Sequence, residues 1–117
     1  MHRILSTLLL SGPLLLGTVA PSMAHPTRPD GRPPLAVTAL CEGLGEFARR
    51  RAQDRDDGIR LSVVQALSRQ WDQAHDIDDA TRRLHEAIIL SVWREPAVPP
   101  TSAQKLTEAA CVLSAGY

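Results

Sequence analysis

The chain has 117 residues, balances 13 Lys and Arg against 13 Asp and Glu, and draws only 3% of its residues from Phe, Trp and Tyr. Zero net charge argues against nucleic acid or an anionic membrane as the main partner, since either favours a basic stripe and a positive excess. The scarcity of aromatics argues against an aromatic-lined cleft of the glycosidase kind.

Residues 1–24 read as a secretory signal peptide. Arg3 gives a short positive start, Leu8-Leu9-Leu10 and Leu14-Leu15-Leu16 build an apolar stretch, and Ser22-Met23-Ala24 places small residues where a signal peptidase cuts. Gly12-Pro13 and Gly17 interrupt the stretch, leaving less than the roughly 20 clean apolar residues of a spanning helix. No membrane span is therefore expected after cleavage. The expected location is the periplasm, with the extracellular space as the alternative.

Residues 25–34, HPTRPDGRPP, are too rich in proline for regular structure and read as an extended leader. Residues 35–117 form the expected domain, four helices with no strand alternation in any window.

The first helix is expected from Leu35 to Asp56, with Val37, Leu40, Leu44, Phe47 and Ala48 on one face. Gly43 and Gly45 either admit a close neighbouring helix or mark a later start. Asp57-Gly58 is a stop signal. The second helix is expected from Val63 to Ala74, opened by a Ser62/Gln65 capping box and striped by Val63, Val64, Leu67 and Trp71. The third is expected from Asp79 to Glu95. Asp78 and Asp79 stand at its start, Leu84, Ala87, Ile88, Ser91 and Val92 form one face, and Ile89 and Trp93 widen it. Pro96 and Pro99-Pro100 separate it from a fourth helix, Ser102 to Ser114. A Thr101/Gln104 capping box is expected there, with Ala103, Leu106, Ala110 and Leu113 buried.

Cys41 and Cys111 are the only cysteines, and in an exported chain they point to a disulfide. Leu40 directly before Cys41, and an apolar segment ending about twenty residues earlier, disfavour the rival reading of a lipid anchor. Short connections favour antiparallel neighbours, so the expected fold is all-α, an up-down-up-down four-helix bundle. In it Cys41, early in the first helix, and Cys111, late in the fourth, fall at the same end.

No chemical motif stands out. His85-Glu86 starts like the zinc-protease pattern but lacks its second histidine. The run from His75 to Asp79 suits caps better than metal ligands. In Asp54 to Ser62 the glycine comes one residue too early for a calcium loop, and Gln65 stands in place of the bidentate glutamate. No serine sits in a nucleophile elbow. No catalytic residue, metal or cofactor is expected. Glu42 and Glu46, four apart on the first helix, carry no sign of a raised pKa. The string DRDDGIRLS reads as a locked corner, in which an Arg55–Asp56 ion pair fixes two helices, or else as a recognition corner.

The order Cys41, Ala48, Arg55-Asp56-x-Gly58, Val92-Trp93-x-x-Pro96, Cys111 resembles a loose class of small exported proteobacterial proteins. That class shares a first-helix cysteine, an R-D/Q-x-G corner, an aromatic-x-x-P helix end and a terminal cysteine, with Trp93 here where tyrosine is more usual. The resemblance covers Cys41 to Cys111. It implies a helical, disulfide-bearing periplasmic domain and carries no activity and no site residues.

Three functions remain in play. The first is a module that binds another protein, as an inhibitor, immunity-type protein or accessory subunit, with Trp71 and Trp93 as anchors if they are not core. The second is an acid- or stress-responsive periplasmic chaperone, its switch resting on carboxylates with His75 and His85. A small hydrolase ranks last.

Overall fold

The computed structural model describes residues 26–117, and the signal-peptide reading of residues 1–24 lies outside them. The described residues form an all-α, four-helix bundle: α1 (Leu35–Asp56), α2 (Leu61–Ala74), α3 (Asp79–Arg94) and α4 (Pro100–Ser114), with no strand among them. No helix among them is long and apolar enough to cross a membrane.

The helix ends follow backbone chemistry. At the ends of α1, α2 and α4 the chain turns through a residue of positive φ: Gly58 at 86°, Asp76 at 52° and Gly116 at 94°. In each case the next amide bonds back to a helix carbonyl: Ile59 to Asp54, Ile77 to Asp72 and Tyr117 to Val112. These are Schellman closures, and they satisfy carbonyls that the helix itself leaves open. Asp78 caps α3 through its carboxylate, which accepts from the Thr81 amide at 3.2 Å and the Thr81 hydroxyl at 2.6 Å.

The two expected capping boxes do not form. Helix α2 begins at Leu61 with Arg60 as its N-cap, and α4 begins at Pro100 with Pro99 as its N-cap, neither with a side-chain cap. These earlier starts place Ser62 and Thr101 inside the first turn, where a hydroxyl cannot reach forward to the orphan amides. Pro100 itself suits the first helical position, because its missing N–H would have had no partner there. Pro26 to Pro34 holds no helix or strand. A tight turn between Arg28 and Arg32 is anchored by the Tyr117 hydroxyl, which donates to the Pro26 carbonyl at 2.7 Å.

The topology is up-down-up-down. The Cys41–Cys111 disulfide, with Cα atoms 5.4 Å apart, joins the start of α1 to the end of α4. Ala48, Ala52, Val92 and Ala103 form the buried cluster, with Ile88, Trp93 and Val98 packed against it. Gly45 lets α4 come close: a Cβ there would lie 2.9 Å from the Gln104 carbonyl and strike the Glu108 side chain. The close-approach reading of Gly45 therefore holds, and α1 runs unbroken from Leu35.

The helices form a row more than a closed square. Helix α1 packs chiefly on α4 and then on α3, while α2 leans on α3 and barely touches α1. Several expected core positions are exposed as a result. On α4, Ala103 is buried, but Leu106 is 61% and Leu113 70% exposed, because the face turned to α1 carries Ala103, Thr107 and Cys111 instead. On α3 the buried residues are His85, Ile89 and Val92, one position round from the expected Leu84 and Ile88.

Candidate functional site

The gap between α1 and α2 is an open groove of about 900 Å³. Its α1 wall carries Leu40, Gly43, Leu44 and Phe47. Its α2 wall carries Val64, Leu67 and Trp71, and Ile77 and His85 lie toward its floor. Leu40 (56% exposed), Leu67 (58%) and Trp71 (55%) belong to stripes whose spacing predicts burial, yet all three stand open at this gap. Of the predicted α2 stripe only Val64 is buried. Ser68 and Asp72 are buried instead, and Asp72 meets His85 of α3. The α2 apolar stripe is real but meets no helix across the groove among the described residues. Gly43, with nothing within 4 Å of the place its Cβ would take, leaves one stretch of the α1 wall bare.

One polar pair is buried beneath the groove. His85 Nδ1 lies 3.0 Å from both carboxylate oxygens of Asp72. Both residues are buried, and the imidazole stacks on Phe47 with ring centroids 4.4 Å apart and planes 18° from parallel. The Arg51 guanidinium stands 4.9 Å from the centroid of the same phenyl ring. Its Nε is 2.9 Å from Asp54 but poorly aimed at it, so the proximity is electrostatic without a formed hydrogen bond. The sequence alone did not predict this pair. Its signal was available: Asp72 and His85 are thirteen residues apart, astride the α2–α3 corner, where antiparallel helices bring equidistant positions face to face. Arg69 and Glu86, which meet at 3.5 Å, follow the same rule.

The residues singled out by sequence fall in different places. Trp71 lines the groove and stacks on His75 at 3.9 Å, whereas Trp93 packs on the central cluster, so the two do not act together. Arg55 does pair with Asp56, at 2.9 Å, but it locks a different junction from the α1–α2 corner expected. The guanidinium donates to the carbonyls of Val92, Glu95 and Val98 at 2.8 to 3.0 Å. It thereby closes the C-terminal end of α3, where cations and donors are favoured, and ties that end to α1. Its side chain is only 7% exposed, and the interactions it makes are a structural knot.

Glu46, on the lip of the groove, pairs with Arg49 and Arg50. The hydrogen bond from Arg49 leads the causes that bring its carboxyl from 4.5 down to about 2, so Glu46 stands as an ionised member of the bridge. Ser68 also lines the groove, one turn before Asp72, but no hydrogen bond joins it to His85 among the described residues. No three His, Cys, Asp or Glu side chains converge as metal ligands among the described residues. The arrangement suits binding: a broad trough whose surface is mostly apolar, edged by the charged side chains of Glu46, Arg50, Arg51 and Asp54.

No known protein family, curated protein or solved structure matches this chain.

Proposed function

We propose that the protein is a small exported binding module whose α1–α2 groove receives an amphipathic helix of a partner protein. The observation that carries this reading is the open groove itself, with Leu40 on one wall and Leu67 and Trp71 on the other left unburied, and no helix between them among the described residues. A helix laid in the gap would touch both walls and complete the packing that α2 fails to make with α1. Helices pack with axes 8–10 Å apart, and an apolar face at i, i+3, i+4 and i+7 is the usual key for such a groove. Exposed Trp and Leu flanking a trough are the residue types that anchor interfaces. The disulfide is compatible with export and with maturation in an oxidising compartment. The order of motifs from Cys41 to Cys111 supports a place among the small exported proteobacterial helical proteins, and with it a periplasmic home.

The test is a paired pull-down from periplasmic and secreted fractions. Mature protein is compared with Leu67→Asp and Trp71→Ala in the groove, and with Leu106→Asp and Leu113→Asp on the outer face of α4. A stoichiometric partner lost with the groove variants and kept with the α4 variants is the expected result. A partner lost only with the α4 variants would move the binding face and overturn the groove as the site.

A further inference from the structure

The polar pair under the groove restricts which helix can occupy it, and this inference rests on the binding reading above. Asp72 as a carboxylate can only accept hydrogen bonds, so the imidazole nitrogen between its two oxygens must carry the proton. That assignment follows from the contacts of 3.0 Å at Nδ1. In the neutral ring, the other nitrogen, Nε2, is then a bare acceptor. No hydrogen bond engages Nε2 among the described residues, although His85 as a whole is only 9% exposed. Among their buried side-chain nitrogens and oxygens only Arg51 Nε lacks a partner, so Nε2 still reaches solvent. His85 is a lining residue of the groove.

An occupant that fills the groove expels that solvent. A wholly apolar helix would leave Nε2 buried without a partner, a loss equivalent to roughly 5- to 150-fold in affinity. A helix with one donor at the right place keeps the acceptor satisfied. The ring cannot turn to escape, because Asp72 holds one edge and Phe47 stacks on its face. We propose that the groove selects a partner helix bearing one hydrogen-bond-donating side chain, a hydroxyl or an amide, within its apolar face, where it meets His85 Nε2. Leu40, Leu67 and Trp71 supply affinity without telling one apolar helix from another. His85 supplies register, as a single buried polar position does in helical assemblies.

The experiment is a display selection from a library of amphipathic helices of about 16 residues, enough for four turns. The apolar face is fixed except for one randomised position, placed in turn along the helix. Selection uses the mature protein and the double variant Asp72→Leu/His85→Phe. The double variant replaces the buried pair with apolar residues, a change that proteins often accept without loss of stability, whereas His85→Phe alone would strand the Asp72 carboxylate. Retained helical circular dichroism and cooperative unfolding certify that the variant is folded.

The expected result is enrichment of Ser, Thr, Asn or Gln at one placement on the mature protein, and of Val, Leu or Ala at that placement on the double variant. Synthetic Thr and Val versions of the selected helix should then differ by about tenfold in Kd on the mature protein and reverse order on the variant. Binders that are apolar throughout on both proteins, and still lost with Leu67→Asp, would overturn the selectivity and keep the groove. Binders indifferent to Leu67→Asp would overturn the groove reading, and the selectivity with it.

Discussion

Along the seam between α1 and α4 the contacting residues are small, whereas across the gap between α1 and α2 they are large. The seam is built from Gly45, Ala48, Ala52 and Ala103, with a disulfide at one end. The gap is walled by Leu40, Leu67, Phe47 and Trp71, with empty space between. Side-chain size is thus decoupled from burial in this protein. Small residues let two helix backbones approach until little space remains, and cross-links do the work that bulky packing does elsewhere. The large side chains that wall the gap are held apart and left exposed.

Breaking the seam should have the largest effect. The disulfide spans 70 residues of chain, and on the chain-entropy account such a loop contributes about 4 kcal/mol. Urea unfolding of Cys41→Ser/Cys111→Ser should show a loss of about that size, and reductant should do the same to the wild type. If the loss were well below 1 kcal/mol, the small-residue seam would be holding α4 by itself. Next comes the Arg55 knot at the far end of α1. Arg55→Ala removes a charged donor from three carbonyls and should cost about 2–4 kcal/mol by chemical denaturation. Arg55→Lys should recover less than half of the loss, because a single ammonium cannot span the fork that the guanidinium fills.

Two glycines on one helix sharpen the comparison further. Gly45→Ala drives a methyl against the Gln104 carbonyl and Glu108, and should destabilise by about 1–3 kcal/mol as α4 is pushed away. Gly43→Ala meets nothing within 4 Å and should stabilise by about 0.5–1 kcal/mol through helix propensity alone. Opposite signs two residues apart in thermal melts would establish that one wall is packed and the other open. Matching signs would mean that the gap closes in solution. Trp71→Ser and Leu67→Ser should change stability by no more than about 0.5 kcal/mol, since neither side chain is in the core.

How much of this was legible in the chain depends on what each signal measures. Periodicity located all four helices, and α1 to its last residue, because apolar spacing and an Asp-Gly stop report on local backbone preferences. Pairing two cysteines located the α1–α4 seam. Periodicity does not report which neighbour an apolar stripe meets. The α2 stripe through Leu67 and Trp71 reads identically whether it packs on α1 or stays open, and only the tertiary placement of α2 on α3 distinguishes the two. On α4 the same rule pointed to Leu106 and Leu113, while the seam took the less hydrophobic side carrying Ala103, Thr107 and Cys111. Gly45 had asked for that side: a glycine inside α1 marks where a backbone comes close, and what comes close is the Gln104 carbonyl. Arg55 shows a further blind spot. Its acceptors are backbone carbonyls some forty residues on, and carbonyls carry no sequence identity.

The smallest expected effect lies on the lip of the groove and concerns acid. Glu46 titrates at about 2 in the fold, against an ordinary 4.5, because Arg49 and Arg50 donate to it. A depressed carboxyl contributes stability above its unfolded value and loses that contribution as pH falls through its folded value. Asp78, lowered by the Thr81 hydroxyl and amide, acts in the same direction at the start of α3. Wild type should therefore be slightly more stable than Glu46→Gln at pH 7, with the difference shrinking between pH 5 and pH 2. Because Glu46 is solvated, added salt should shrink the difference at pH 7 as well. Salt should leave the Arg55 knot nearly untouched, since that guanidinium is shielded from solvent. Denaturant midpoints measured for Glu46→Gln and Arg55→Ala at low and high salt would separate the two classes of arginine. An Arg55 effect as salt-sensitive as that of Glu46 would mean that the knot opens to water and that the packed half is less closed than the buried guanidinium indicates.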